Sequence, residues 1–525
     1  MPFNVSVAAV LVRQEEKDMN GRTERMGKRG KRVEEIRARV PAPNGNVTVA
    51  MGHKALVDAV FRDTGLGGFL DGLKRDQGDS VAMEVAALVA CSAEMTGVSV
   101  SRLDRMLGDG DARREYGLSG DPRSIYRTVE RIGRNSDAIV GFLGVAAKDV
   151  YGAGLETTFL DWTSIYFEAD PKGPITFGHT RDHRPDRPQV TVGLAMDKGS
   201  GMPVGLTVMP GNTVDVTHFE ETLMQVRPLL PEGAMAVFDN GGYSMGNAAL
   251  LDKEGIGFLT RMQLNASDDK HVAACTHGWR WLDDDVSFMV VKGNLGRRRF
   301  LFRSERLRAA ALARHLRKAE RDYDEMTELK AALEKGKRPR KKHRNSNCFV
   351  DTRLSHRFPL DVMTREEAIA HAAKEMATGR EGMFVLLTSR PLSAQGALGL
   401  YRSRNAAESA FRDLKHGIDW RPARCTSIDA VRGRVLVSFL ALFCMSMVRF
   451  LYPEFRAKTA ESISEELSSF SLTVEKGADG SKRRIWSNFT PIIRRIWGGK
   501  RRVPAPRMPE AAPKGPVQAS MDGFG

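Results

Sequence analysis

The chain has 525 residues, which at ~150 residues per domain allows roughly three or four domains. With 42% hydrophobic and 28% charged residues it holds enough apolar material for a substantial core, which excludes a wholly disordered chain. A count of 80 Lys and Arg against 65 Asp and Glu leaves a net charge of +15, a surplus that points to a polyanionic partner.

Five cysteines, Cys91, Cys275, Cys348, Cys425 and Cys444, are scattered with no CxxC pair. Neither a disulfide framework nor a zinc ribbon is expected, and a reducing cytoplasm fits. The longest apolar run, residues 435–448, falls short of the ~20 residues that a membrane-spanning helix needs and reads as a buried core helix. Residues 5–12 are apolar but lack a basic stretch before them and an A-x-A site after them, so secretion is not expected.

Residues 1–50 are rich in charge, then in Pro, Gly and Asn, and read as a basic flexible arm. Residues 51–150 turn helical and form the expected DNA-binding domain, with residues 81–95 apolar at mixed three- and four-residue spacing. Ala93, Gly97 and Leu103, with Arg102 and Arg105 beside them, have helix-turn-helix spacing. Asp121 and Pro122 are a cap and first-turn pair, opening a helix that carries Arg123, Arg127 and Arg131 on one face. Such a face either tracks phosphates or is simply solvated.

Residues 157–168 are β-branched and aromatic, and residues 190–196 and 204–209 give two more strands around a DKGSGMP turn. A helix over 215–230, a strand over 234–238, a helix over 244–253 and a strand over 256–259 complete a βββαβαβ order. Three meandering strands followed by helix-connected strands beside the first is the ribonuclease H topology. The expected fold is therefore α/β, a ribonuclease H-like catalytic domain built from residues 151–260 and 386–455, with an α-helical N-terminal domain. Residues 261–385 form an insertion with strand-like stretches at 288–292 and 299–303. It continues in a charged helix over 304–335 that carries Leu312, Leu316, Ala319, Tyr323, Met326 and Leu333 near heptad spacing. A helical hairpin or arm is favoured over a dimeric coiled coil. The basic loop KGKRPRKKHR, residues 335–344, includes Lys341, Lys342 and Arg344 and is read as a nucleic-acid contact. Residues 456–525 read as a basic, Pro-rich tail.

Asp161 sits mid-strand between Leu160 and Trp162, where an ionised carboxylate is costly unless paired or metal-bound. Asp239 ends the fourth strand, which lies beside the first in this topology, so the two carboxylates should converge on a metal site. A helix over 394–416 supplies the third element. At roughly 100° per residue, Tyr401, Arg404, Glu408 and Lys415 fall in a stripe about 60° wide, beside an apolar face of Ala407, Ala410, Phe411 and Leu414.

The spacing Tyr401-x2-Arg404-x3-Glu408-x6-Lys415 resembles the YREK signature of the IS4-type DDE transposases. The stretches FLDWTSIYFE, RPQVTVGLAMD, PGNTVD, VFDNGGYS and FRDLKHGIDWRP are similar to the IS1634 branch of that group. The resemblance spans about residues 155–450 and implies that Asp161, Asp239 and Glu408 are the DDE triad. It also accounts for an insertion before the final helix. Asn240 departs from it, since relatives often carry a basic residue there. The activity implied is cleavage at the ends of an insertion sequence and joining of the 3′-ends to target DNA. Two Mg²⁺ ions, for which Mn²⁺ can substitute, would be held by the three carboxylates. Arg404 and Lys415 would hold phosphates and Tyr401 would lie near the scissile nucleotide. The expected partners are element ends and target duplex, with a homodimer on DNA at the nucleoid.

Other readings compete. Gly242-Tyr243-Ser244-Met245-Gly246 is a GxSxG between a strand and a helix, the context of a serine nucleophile, with His271, His277 or His416 as base. The preceding meander, the missing oxyanion segment and the +15 charge argue against a serine hydrolase using Ser244. A metal-dependent nuclease without strand transfer, or an inactive DNA-binding relative, differs from a transposase only in joining or in activity. His179, Asp182, His183 and Asp186 lie in one polar loop with no second cluster to complete a zinc site. There is no Walker lysine motif, so ATP is not implied.

Overall fold

The computed structural model describes residues 46–74, 80–94, 103, 108–118, 122–167, 170–179, 184–274, 278–292, 296–336, 363–405, 427–476 and 481–497. Strand β1 (Val47–Ala50) leads into helices α1 (Gly52–Thr64), α2 (Leu66–Gly72), α3 (Val81–Ala93), α4 (Gly110–Glu115), α5 (Pro122–Arg134) and α6 (Ser136–Asp149). Of the helix-turn-helix residues, Ala93 closes α3 and Leu103 is helical and buried. Gly97, Arg102 and Arg105 lie outside the described residues.

The central sheet follows. Strands β2 (Thr157–Tyr166), β3 (Gln189–Asp197) and β4 (Pro203–Pro210) form the antiparallel meander. Helix α7 (Asp215–Val226) then leads to β5 (Met235–Phe238), which runs parallel to β2. Helix α8 (Met245–Lys253) leads to β6 (Gly257–Met262), parallel to β5. The order β4-β3-β2-β5-β6 with these directions is consistent with the ribonuclease H arrangement. Strand β3 is buried along its whole length, which explains its nearly continuous apolar sequence.

The sheet does not stop at β6. After helix α9 (Ala266–Ala274), strands β7 (Arg280–Trp281), β8 (Val286–Lys292) and β9 (Arg298–Ser304) lead into helix α10 (Glu305–Glu334), helix α11 (Arg365–Met376) and strand β10 (Met383–Thr388). Strand β10 inserts between β6 and β9, antiparallel to both, giving nine strands in the order β4-β3-β2-β5-β6-β10-β9-β8-β7. The strand-like part of the insertion thus continues the central sheet, and the boundary expected at 385/386 falls within β10. Ala319 and Met326 of α10 pack on Ala368, Ile369, Ala372 and Ala373 of α11. Leu312 and Leu316, expected on that same stripe, are 37% and 44% exposed, because α11 covers only the C-terminal half of α10.

Helix α12 (Ala394–Arg402) precedes the long helix α13 (Ile428–Leu451). In length and composition α13 could cross a membrane, yet 78% of its apolar window is buried inside the protein. Every residue from Val435 to Val448 is buried, and the helix packs on α3, α5 and β4. Glycine makes the α5–α13 crossing possible. A Cβ at Gly433 would stand 1.9 Å from the Val129 carbonyl oxygen, and one at Gly133 would stand 1.8 Å from that of Asp429.

The first and last described elements meet. Helix α14 (Ala460–Ser468), strands β11 (Ser471–Lys476) and β12 (Lys482–Ser487), and helix α15 (Pro491–Trp497) follow α13. Strand β11 pairs with both β1 and β12, while α14 and α15 pack on α1. Residues 456–497 are therefore not a tail, and β1 removes residues 47–50 from the expected arm. Leu472 and Val474 point inward from β11, but two apolar residues among polar neighbours give too short an alternation to be legible. Asp111 of α4 binds Lys476 at 3.0 Å and Lys482 at 2.5 Å, and these two ammonium groups hold its carboxyl down at about 2. His53 of α1 lies 3.0 Å from the Ser464 hydroxyl of α14, and burial keeps its imidazole neutral with a pKa lowered to about 3.

Two expectations follow. Gly433→Ala forces the α5–α13 backbones apart and should cost about 3 kcal/mol in thermal unfolding. Gly141→Ala, where an added Cβ meets nothing within 4 Å, should be neutral or stabilising. For His53 the unfolded imidazole titrates near its ordinary 6.5 and the folded one near 3, so between these values the unfolded state binds the extra proton. Stability should thus fall as pH drops from about 6.5 towards 3, and His53→Gln should flatten the dependence of the melting temperature between pH 7 and 4.5, a range above the 3.8-to-2 window in which Asp111 loses its contribution.

Candidate active site

Parallel pairing of β2 with β5 sets Phe159 opposite Val237. Asp161 and Asp239 each follow two residues later, so both carboxylates arise at the same level of adjacent strands. Asp161 Oδ1 accepts from the Trp162 amide at 3.0 Å, and Asp239 Oδ1 accepts from the Asn240 amide at 2.8 Å. Asp239 also caps the short turn Asn240–Gly242 that follows β5.

Helix α12 reaches this pair from β10. Ser393 caps its start by accepting from the Gly396 amide, and α12 contacts β6 and β10. The Tyr401 hydroxyl donates to Asp239 Oδ1 at 3.1 Å. Arg404 points one nitrogen at each carboxylate, Nη1 at 3.6 Å from Asp161 Oδ1 and Nη2 at 3.9 Å from Asp239 Oδ2, with its guanidinium 5.4 Å from the Tyr401 ring centre. Its side chain is 9% exposed, against 19% for Asp161 and 48% for Asp239. The site is thus covered at the guanidinium and open at Asp239. Burial first, and the Asp239 charge second, push the Tyr401 phenol far up, so it remains a hydrogen-bond donor.

The single helix expected over 394–416 is not formed. Helix α12 ends at Arg402, where the Ser403 hydroxyl donates to the Leu400 carbonyl at 2.6 Å and the Arg404 amide to that of Tyr401 at 3.1 Å. A serine bonding back to the preceding turn competes with continuation of the helix. Tyr401 and Arg404 converge on the carboxylates all the same, with Tyr401 on the last turn and Arg404 beyond it. Glu408 and Lys415 lie outside the described residues, as do Lys341, Lys342 and Arg344. Arg123 and Arg127 are exposed on α5 and Arg131 is partly so, while Ile125, Val129 and Ile132 on the other face are buried.

A polar network beneath the carboxylates escapes sequence reasoning. The Trp162 indole N–H donates to Thr222 Oγ1 at 3.0 Å, Thr222 meets Thr207 at 2.9 Å, and Thr207 meets His218 Nε2 at 2.8 Å, all buried. A Cβ at Gly242 would stand 2.8 Å from the Trp162 ring, so the turn after Asp239 rests on the residue after Asp161. The one signal in the sequence is His218 and Thr222, four residues apart on the buried face of α7.

Ser244 is a helix cap whose hydroxyl accepts from the Asn247 amide at 3.0 Å. Asp186 is ion-paired with Arg184 and Arg187, while Asp182 and His183 lie outside the described residues. Among the described residues no group of three or more His, Cys, Asp and Glu side chains could hold a metal. Asp161 and Asp239 nonetheless offer hard oxygen atoms that already face one shared cation, which is the donor chemistry a magnesium-type ion takes.

Comparison with curated proteins gives no match. Among solved structures, the fold is similar to a piggyBac transposase synaptic complex with hairpin DNA, at 10% identity and a TM-score of 0.39 over 80% of this chain and 79% of that one. It is also similar to a Mos1 transposase paired-end complex with left transposon end, at 16% identity and a TM-score of 0.15 over 35% of this chain and 61% of that one. Both scores are low, and the assignment rests on a family model instead. The model described as "Transposase DDE domain" matches residues 152–444, more than half of the 525 residues and all of the elements that carry Asp161, Asp239, Tyr401 and Arg404. The chain belongs to the transposase DDE domain family.

Proposed function

We propose that this chain is an IS4-type transposase of the IS1634 branch, which binds the ends of an insertion sequence, cleaves them and joins the 3′-ends to target DNA. The observation that supports it best is the level placement of Asp161 and Asp239 on parallel strands facing one guanidinium. Asp161, Asp239 and Glu408 are the metal ligands in this reading, with Mg²⁺ the expected ion and Mn²⁺ its substitute. Two bound ions would supply activation of water or a 3′-hydroxyl and stabilisation of the leaving oxygen at phosphorus. The protein's own groups do the rest. Arg404 and Lys415 hold flanking phosphates, and Tyr401 orients Asp239 through its hydroxyl and borders the scissile nucleotide. The +15 charge draws DNA in, and Arg123, Arg127 and Arg131 hold the element ends while Lys341, Lys342 and Arg344 add attraction from the insertion. A homodimer on DNA would bring two ends together.

Asp161→Ala, Asp239→Ala and Glu408→Ala should each lower Mg²⁺-dependent end cleavage by ~10³-fold or more, because ligands of a shared site act as one unit. DNA affinity should stay within about twofold, since it comes mainly from phosphate contacts. Full cleavage by any one of these variants would sink the assignment, and a strand-transfer assay on pre-cut ends separates a transposase from a nuclease.

The basic segments should differ in kind. Alanine at Arg123, Arg127 and Arg131 should weaken binding to element ends more than to random duplex, because a helix can seat side chains against a groove. Alanine at Lys341, Lys342 and Arg344 should weaken both about equally and flatten the salt dependence. Titrations of both DNAs at several salt concentrations decide it, and a loop variant that loses only end-specific binding reverses these roles.

A further inference from the structure

We propose that Arg404 is the resident cation of the metal-free site, bridging Asp161 and Asp239 until DNA draws it away and lets a divalent ion take its place. The proposal rests on the reading of these two aspartates as metal ligands, and adds how the site is kept before substrate arrives.

The geometry has three parts. Each carboxylate faces a different nitrogen of one guanidinium, so only a forked side chain spans both. At 3.6 and 3.9 Å the contacts are Coulombic and too long for hydrogen bonds, so one charge is shared between the two carboxylates. Finally, Arg404 follows the last turn of α12, tied by its amide to Tyr401 and set beside the Tyr401 ring, so it belongs to a segment separate from the strands that carry the two aspartates.

Charge then sets the order of events. One guanidinium leaves the carboxylate pair with net negative charge, whereas a dication neutralises both. A dication entering while Arg404 stayed would place two positive groups side by side. A DNA phosphate offers the displaced guanidinium a bidentate partner, so duplex and metal each favour the rearrangement that the other needs. Coupling of this kind is reciprocal: DNA should tighten metal binding by the factor by which metal tightens DNA binding. A site without substrate would stay largely unloaded.

Mn²⁺ titration calorimetry on the full chain, with and without a short duplex, tests this. Without DNA, Arg404→Ala should bind Mn²⁺ ~10-fold more tightly than the unaltered chain. Arg404→Lys should tighten nearly as much, because a single ammonium retains the charge but cannot bridge two carboxylates. Duplex DNA should tighten Mn²⁺ binding to the unaltered chain and do so far less in Arg404→Ala. Metal-free Arg404→Ala should melt at a lower temperature and recover with Mn²⁺, and if it does not fold, Arg404→Lys carries the test. Asp239→Asn in either background should remove the Mn²⁺ effect.

Arg404→Ala binding Mn²⁺ no more tightly than the unaltered chain, while Asp239→Asn still weakens binding, overturns the placeholder and leaves the metal site standing. Arg404→Lys behaving as the unaltered chain shows that charge alone matters and overturns the bridge. Asp239→Asn without effect on Mn²⁺ in the Arg404→Ala background overturns the ligand reading beneath it.

Discussion

Two carboxylates at one level of adjacent parallel strands repel each other, and the surroundings of the site answer that repulsion. At an effective dielectric of about 20 a pair of unit charges ~4 Å apart costs about 4 kcal/mol, so a cation has to be built in or brought in. Here Arg404 supplies it from a segment that reaches the site only by way of β10 and α12. The Tyr401 hydroxyl shares the task by donating to Asp239. From below, the Trp162–Thr222–Thr207–His218 network fixes the Trp162 ring under the turn that follows Asp239, so the middle of β2 and the end of β5 cannot shift independently.

Arg404 reaches the site from the extended part of the sheet. Strand β10 pairs with β6 on one side and β9 on the other, so its position is set by the strand hairpin that precedes it as well as by the core. Helix α12 leaves β10 against β6 and arrives at Asp239. The residues between β6 and β10 therefore act on the site even at a distance, by fixing the strand from which the cationic element starts.

A second long-range constraint binds the helical parts to the sheet. Helix α13 is buried along Val435–Val448 and is shared by α3, α5 and β4, with α5 approaching to backbone contact at Gly133 and Gly433. Beyond it the chain returns to the first described elements, where β11 joins β1, Lys476 and Lys482 hold Asp111, and Ser464 meets His53. The helix that carries Arg123, Arg127 and Arg131 is packed against residues about 300 positions later in the chain.

The sequence by itself marked most local elements and the two aspartates of the candidate site. Runs of β-branched, aromatic and apolar residues mark β2, β3 and β4, the apolar stretch 435–448 marks a buried helix, Asp161 stands out because a strand interior is a costly place for an ionised group, and Asp239 because it ends the strand beside it. Tyr401 and Arg404 were legible through their spacing, although the helix assumed to align them stops at Arg402. Only the tertiary structure decided the rest: that Ser403 ends the helix, that α11 covers one half of α10 and leaves Leu312 and Leu316 exposed, that β1 pairs with β11, and that His218 and Thr222 lie under the site. Side-chain periodicity tells which face of an element must be covered, because burial is a property of each residue's own chemistry. What covers that face is a pairing between segments far apart in the chain, and it is chosen by the packing of the whole.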